Sequence, residues 1–124
     1  MEKCPCGSLM QYTACCKLIH DDLGKAHTAE SLMRARYTAF TKGLIDFLYN
    51  TTHPTSRRFI KKVDVQSWTD QRKWMRLEIL NTTKTTVEFK AHYLESLEPR
   101  IQHEKSTFKA SHGKWYYLDG IFLS

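Results

Sequence analysis

Lys73-Trp74-Met75-Arg76-Leu77-Glu78-Ile79 is where the hydrophobic period of the chain turns to two. Met75, Leu77 and Ile79 alternate there with Trp74, Arg76 and Glu78. The alternation returns three times downstream. Val87, Phe89, Ala91 and Tyr93 alternate with Glu88, Lys90 and His92. Gln102, Glu104, Ser106 and Phe108 alternate with His103, Lys105 and Thr107, and Trp115, Tyr117 and Asp119 with Tyr116 and Leu118. Four strands are predicted, joined by turns at Asn81–Lys84, Ser96–Pro99 and Ser111-His112-Gly113, where Gly113 can take a positive φ.

Upstream of Lys73 the period is helical. Thr28 is the expected N-cap of a helix over 28–42, with Glu30 in the first turn where a carboxylate suits the dipole. Met33, Tyr37 and Phe40 fall on one face, flanked by Leu32 and Arg36, and Gly43 is the expected stop. Leu44 to Tyr49 read as a second short helix ending before Pro54, and a third is expected around Val65–Asp70. Helices first and strands after imply an α+β fold, with an antiparallel sheet folded against the helices.

A chain of 124 residues has room for one domain and a small appendage. A hydrophobic fraction of 41% and a charged fraction of 26% exclude disordered, collagen-like and coiled-coil classes. No apolar run approaches the ~20 residues of a membrane span. The start, Met1-Glu2-Lys3-Cys4, has no apolar segment of the secretory kind, so a cytoplasmic location is expected.

All four cysteines, Cys4, Cys6, Cys15 and Cys16, lie in the first sixteen residues. A disulfide framework spreads its cysteines to staple distant loops, whereas a cluster at one end reads as a local metal site in a reducing compartment. Four thiolates make a closed structural zinc site with no open coordination position, which argues against catalytic zinc. Iron is the alternative metal, and reduced structural cysteines or a redox pair the blander one. Pro5 and Gly7 help the chain turn tightly, and Lys3 and Lys17 temper the negative charge of the thiolates. The expected organisation is a knuckle over 1–20, a connector at Asp21–Lys25 and a larger domain over 26–124.

Of the net charge of +6, residues 1–50 carry +1 and residues 51–124 carry +5. The excess is concentrated in Arg57-Arg58-Phe59-Ile60-Lys61-Lys62 and Arg72-Lys73-Trp74-Met75-Arg76. Such a stretch can attract nucleic acid or an acidic protein, with Trp74 placed to stack a base, or it can be a solvated face that aids solubility. Trp115 and Tyr117 read as core rather than as a stacking platform.

A carboxylate at Glu104 on the same strand face as Ser106 and Phe108 needs a partner. Arg34 or Arg36 is the natural candidate, because a guanidinium matches a carboxylate bidentately. A structural ion pair tying helix to sheet is one reading. A pocket formed by Arg34, Arg36, Tyr37, His53, Glu104, Ser106 and Tyr117 is another, and an acid-base site using Glu104, His53 or Tyr37 is a third. His53 before Pro54 also fits a loop or capping residue. His92, His103 and His112 are expected to be exposed, and the histidines lack the spacing of a second metal site.

Cys4-Pro5-Cys6-Gly7-Ser8, Tyr12 and Cys15-Cys16 resemble the SEC-C motif, named for the zinc-binding tail of the SecA translocation motor. The remainder of the chain resembles the bacterial YchJ-like family. The matching stretches are Thr28-Ala29-Glu30-Ser31-Leu32-Met33-Arg34-Ala35-Arg36-Tyr37-Thr38-Ala39-Phe40, Thr52-His53-Pro54, His103-Glu104-Lys105-Ser106-Thr107-Phe108 and Trp115-Tyr116-Tyr117-Leu118-Asp119-Gly120. The resemblance implies a zinc knuckle ahead of a cystatin-like, nuclear-transport-factor-2-like domain, in which helices pack into a curved sheet around a conical pocket. The SecA tail binds a chaperone and the ribosome, so the motif implies protein contact more than catalysis. The pattern departs at Leu9 and Lys17, where the family commonly places glycine.

The leading expectation is therefore an adaptor that docks on a protein of the translation or export machinery. A small-molecule-binding protein or acid-base enzyme is the second, and an RNA or ribosome binder through residues 57–76 the third. Oligomeric state is open, with a homodimer among the options. A deep polar cavity holding Glu104 and a nearby arginine favours the second expectation, and a filled core favours the first.

Overall fold

The computed structural model describes residues 2–123; Met1 and Ser124, the outer ends of the two expected segments, lie outside the described residues. Five helices precede four strands: α1 (Cys16–Asp21), α2 (Ala29–Lys42), α3 (Ile45–Asn50), α4 (Pro54–Arg57), α5 (Lys62–Asp70), β1 (Lys73–Thr82), β2 (Thr86–Glu95), β3 (Glu98–Ser111) and β4 (Lys114–Phe122). Single 3-10 turns at Tyr12–Ala14 and Leu23–Lys25 flank α1. The strands form one antiparallel meander in the order β1-β2-β3-β4. The fold is α+β.

The central element is α2, and its sequence explains both of its ends. The Thr28 side chain accepts from the Ser31 amide while Ser31 Oγ accepts from the Thr28 amide, a reciprocal box that satisfies two orphan donors. Gly43 closes the helix at φ 70°, a left-handed position where a Cβ is costly. Leu32, Ala35, Tyr37, Thr38 and Ala39 are all buried, because α2 is covered on two sides. Arg34 and Thr38 meet the cysteine segment, and Met33, Tyr37 and Phe40 face the space toward the sheet. Cys4, Cys6 and Cys16 share one apolar cluster with Leu32, Phe89 and Phe108, so the first residues pack into the main core. Leu48 and Val65 join Ala39 in a smaller cluster under α3 and α5.

Pro54 opens α4 at its first position, where a missing amide hydrogen costs nothing. That helix is not among those predicted from the sequence. In α5, which begins at Lys62 rather than near Val65, Val65 and Thr69 are buried one turn apart.

The inward faces of β2 and β3 follow period two: Val87, Phe89 and Ala91 are buried, as are Glu104, Ser106 and Phe108. β1 does not. A bulge between Trp74 and Arg76 shifts the register, leaving Met75 56% exposed while Trp74 turns inward. The Trp74 ring packs against Tyr37, Phe40 and Tyr93, which corrects its reading as an exposed stacking platform. Further bulges at Ile79/Asn81 and Thr107/Phe108 bend the sheet round α2. The turns Ser96-Leu97 and His112-Gly113 each place two successive residues at positive φ, the arrangement that matches strand twist. On the outer edge of β4, Tyr117 donates to Thr51 O at 2.8 Å and accepts from the His53 amide at 2.7 Å. No helix of the described residues is long and apolar enough to cross a membrane.

Candidate metal centre and cavity

Two regions carry chemistry, one on each side of α2. In the first, the Sγ atoms of Cys4, Cys6, Cys15 and Cys16 lie within 4.8 Å of one another. Gly7 at φ 85° turns the chain between Cys6 and the returning segment, and the Cys4 amide donates to Met10 O at 2.8 Å to close the loop. Cys15 and Cys16 are brought in by the step from the 3-10 turn into α1. Sulfurs at ~2.3 Å from a tetrahedral ion stand about 3.8 Å apart. The Cys6–Cys15 separation is 3.7 Å, so the donor set fits a thiolate-bound metal ion.

Polar groups surround these sulfurs. Thr38 Oγ1 donates to Cys16 Sγ at 3.4 Å and lies 3.6 Å from Cys4 Sγ, while Ser8 Oγ is 3.2 Å from Cys15 Sγ. Hydrogen bonding from Cys16 and Ser8 holds the Cys6 thiol down, at about 4, against the opposing effect of burial. The same bond to Cys6, with burial, pushes the Cys16 thiol up, and burial raises Cys15. A thiol held low is closer to the thiolate state that a metal requires. Outside the sulfurs, Arg34 donates to Cys6 O at 2.7 Å and to Glu30 at 2.9 Å. His20 bridges Tyr12 OH and Ala35 O, both at 2.8 Å, fixing α1 to α2; burial holds its pKa below the usual histidine value. Leu9 takes φ 70°, a left-handed position, and Lys17 pairs with Asp21 inside α1.

The second region is a cavity of about 520 Å³ between α2, α5 and the inner face of the sheet. Arg36, Tyr37, Glu104, Ser106 and Tyr117 all line it. Arg34 and His53 do not. Arg34 is engaged at the cysteine segment, and His53 caps α4, its Nδ1 accepting from the Thr55 amide. The expected ion pair between helix and sheet is also corrected. Among the described residues no ion pair includes Glu104. Arg36 instead donates to Leu48 O at 2.9 Å and Thr51 Oγ1 at 2.8 Å, because the end of α3 offers acceptors within its reach. Its guanidinium lies 4.5 Å from the centre of the Tyr117 ring, and burial lowers its pKa to about 10.

Glu104 is 5% exposed and is satisfied by neutral donors. Gln102 Nε2 donates to Oε1 at 2.9 Å; Ser106 Oγ and Tyr117 OH donate to Oε2 at 2.5 and 3.2 Å. Gly120 leaves room for that carboxylate, since a Cβ there would collide with it and with the Tyr117 hydroxyl. Burial raises the pKa of Tyr37, and burial with the Glu104 charge raises that of Tyr117.

Sequence reasoning missed Arg72, Trp68 and Trp74 as cavity residues. It placed Gln102 on the Glu104 face without giving it a role there, although a spacing of two from Glu104 was the available signal. The outer face of the sheet holds His92 and His103, half-buried against Glu78 and Glu88 at 3.3 and 2.7 Å rather than free in solvent. His112 is exposed in its turn.

The family model described as YchJ, middle NTF2-like domain, matches residues 28–120. A Geobacter sulfurreducens protein named UPF0225 protein GSU1048 is 36% identical over 124 residues, covering 94% of this chain and 77% of its own. UPF0225 protein NTHI0386 of Haemophilus influenzae is 38% identical, covering 96% and 77%. The solution structure of a SEC-C motif containing protein from Rhodopseudomonas palustris is similar, with a TM-score of 0.89 and 28% identity over 98% of both chains. A crystal structure of a SEC-C motif containing protein from Psychrobacter arcticus gives a TM-score of 0.81 and 29% identity, over 96% of this chain and 81% of that one.

Proposed function

This chain belongs to the YchJ-like family, and on that footing we propose that it is a small-molecule-binding protein whose site is the cavity between α2, α5 and the sheet. The carrying observation is Glu104. A carboxylate without a cationic partner, in the wall of a roughly 520 Å³ space, is costly to keep and pointless in a filled core. Ligand sites have this form: an apolar concavity of some 300–1,000 Å³ with a few convergent polar groups. In this reading the cysteine segment binds zinc and serves as a structural staple. A closed thiolate set has no open position for a substrate, and three of its four cysteines are buried. The expected acid-base pair is not part of the proposal, because His53 is committed to α4.

The test is a thermal-shift screen of small organic compounds on the full chain and on an Ala91→Phe variant that fills the cavity. Compounds should raise the melting temperature of the native chain alone. If none does, or if both proteins respond equally, the cavity is not the site.

A second reading, docking of a protein of the translation machinery on the knuckle, draws on Leu9, Met10 and Leu18, apolar residues left exposed beside the cysteines. Co-sedimentation with ribosomes should be lost in a Leu9→Ser, Met10→Ser variant; equal sedimentation of both proteins removes this reading. The basic stretch gains less. Arg57 and Lys62 lie over the Tyr49 ring, Lys62 also pairs with Asp46, and Arg72 turns to Gln102.

A further inference from the structure

Two side chains in the cavity wall bear opposite charges and are not paired. Arg36 is 8% exposed and Glu104 5%, and among the described residues neither belongs to an ion pair. Arg36 spends Nη1 on Leu48 O and on the hydroxyls of Thr51 and Thr52. Its Nε and Nη2 make no hydrogen bond among the described residues. These donors are not sealed in either. The sealed side-chain donor without a partner is the Trp74 indole, whereas Arg36 lines the cavity and keeps its remaining N–H groups accessible there.

Glu104 has a matching vacancy for a donor. Its Oε2 accepts from Ser106 and Tyr117 and faces Gly120, whereas Oε1 accepts from Gln102 alone. A carboxylate oxygen accommodates two bonds, so Oε1 can take one more. Tyr117 links the two charges. Its ring centre is 4.5 Å from the Arg36 guanidinium carbon, and its hydroxyl is 3.2 Å from Glu104 Oε2. A small polar group seated at that ring meets open donors on one side and an open acceptor on the other. The third charge of the wall, Arg72, is set against Glu95 and Gln102. The remaining wall is largely apolar or aromatic, with Phe40, Trp68 and Phe89 among its residues.

We propose that the cavity takes a neutral amide: an apolar or aromatic body whose carboxamide oxygen accepts from Arg36 and whose N–H donates to Glu104 Oε1. The inference rests on the small-molecule reading above and adds the class of ligand to it. A carboxamide carries acceptor and donor on one carbon, so a single group serves both charges. Both bonds are charge-assisted, which makes them the strong ones a neutral ligand can form. A net charge on the ligand works against binding, because an anion meets Glu104 and a cation meets Arg36 in a low-dielectric space.

The test is isothermal titration calorimetry of the full chain with 4-phenylbutyramide, the methyl ketone of the same shape, 4-phenylbutyrate and 4-phenylbutylamine. The ketone keeps the carbonyl and lacks the N–H, the acid is an anion and the amine a cation. The amide should bind at least about tenfold more tightly than each of the others. Arg36→Lys should weaken amide and ketone alike, since an ammonium does not reproduce the guanidinium fork. Glu104→Gln should narrow the gap between amide and ketone to about threefold or less, since a neutral acceptor makes the weaker bond. Where either variant fails to fold, the four compounds on the native chain decide. Equal binding of amide and ketone, or tightest binding of the acid or the amine, overturns the amide assignment and leaves the cavity reading standing. Binding of none of the four overturns the assignment too, and the thermal-shift screen above then decides the cavity reading by itself.

Discussion

The two sides of α2 solve opposite problems with similar materials. On the cysteine side the sulfurs gather within 4.8 Å, Thr38 and Ser8 reach them, and three of the four cysteines are buried. On the sheet side Glu104, Tyr117 and Arg36 are just as carefully bonded, yet they border a cavity of about 520 Å³. Polar satisfaction therefore does not by itself imply a packed interior. The knuckle uses its polar groups to close a site, and the cavity uses them to keep one open.

Removing a metal ion from the four-cysteine set proposed to hold it should break this contrast most strongly. Chelation of the full chain, or Cys16→Ser, is expected to cost about 4 kcal/mol, because a bound ion stabilises only the folded state. Equal melting temperatures with and without chelator would show that the knuckle holds itself together by packing alone. The cavity side answers to alkali instead. Tyr37 and Tyr117 keep their protons above pH 10 in the folded protein and lose them near pH 10 when unfolded. Stability is then intact below pH 10 and falls as pH rises beyond it, approaching about 1.4 kcal/mol per pH unit for each tyrosine. Absorbance at 295 nm should show two of the six tyrosines ionising only with unfolding, and Tyr117→Phe should reduce them to one.

Smaller changes sharpen the comparison. Gly120→Ala drives a Cβ into the Glu104 carboxylate and should cost about 2 kcal/mol in urea denaturation while leaving metal content unchanged. Thr38→Val keeps the shape of the side chain but removes the hydroxyl from two sulfurs. A loss of about 1 kcal/mol and about tenfold in metal affinity, read by competition with a chromophoric chelator, is expected. Leu9→Gly relieves a left-handed residue and should gain about 0.5 kcal/mol, the balance of backbone strain against the entropy of glycine.

The elements themselves were legible because their signals are local. Thr28 and Gly43 mark the ends of α2, and the alternations around Phe89 and Glu104 place those side chains inward. The cysteine cluster was legible for the same reason, its ligands lying within sixteen residues. β1 misled because a bulge before Arg76 shifts the alternation there, so Met75 turned out and Trp74 in while Leu77 and Ile79 stay against the core. The Arg36–Glu104 pair misled because charge suggests a partner, whereas geometry chose Leu48 O and Thr51 at the end of α3. The cavity depends on how far three bulges bend the sheet, and curvature of that kind is a sum over the whole fold.

The contact between Thr51–His53 and Tyr117 has a consequence for how the molecule meets its own copies. A four-stranded meander has two free margins, and a straight free margin is a template for pairing with another chain. Here the middle of β4 already spends its outward amide and carbonyl on the chain's own loop. At the opposite margin β1 is bulged twice, and Gly7 brings the knuckle up to the Leu77 carbonyl. The loop and knuckle thus guard both sides of the sheet against edge-to-edge aggregation.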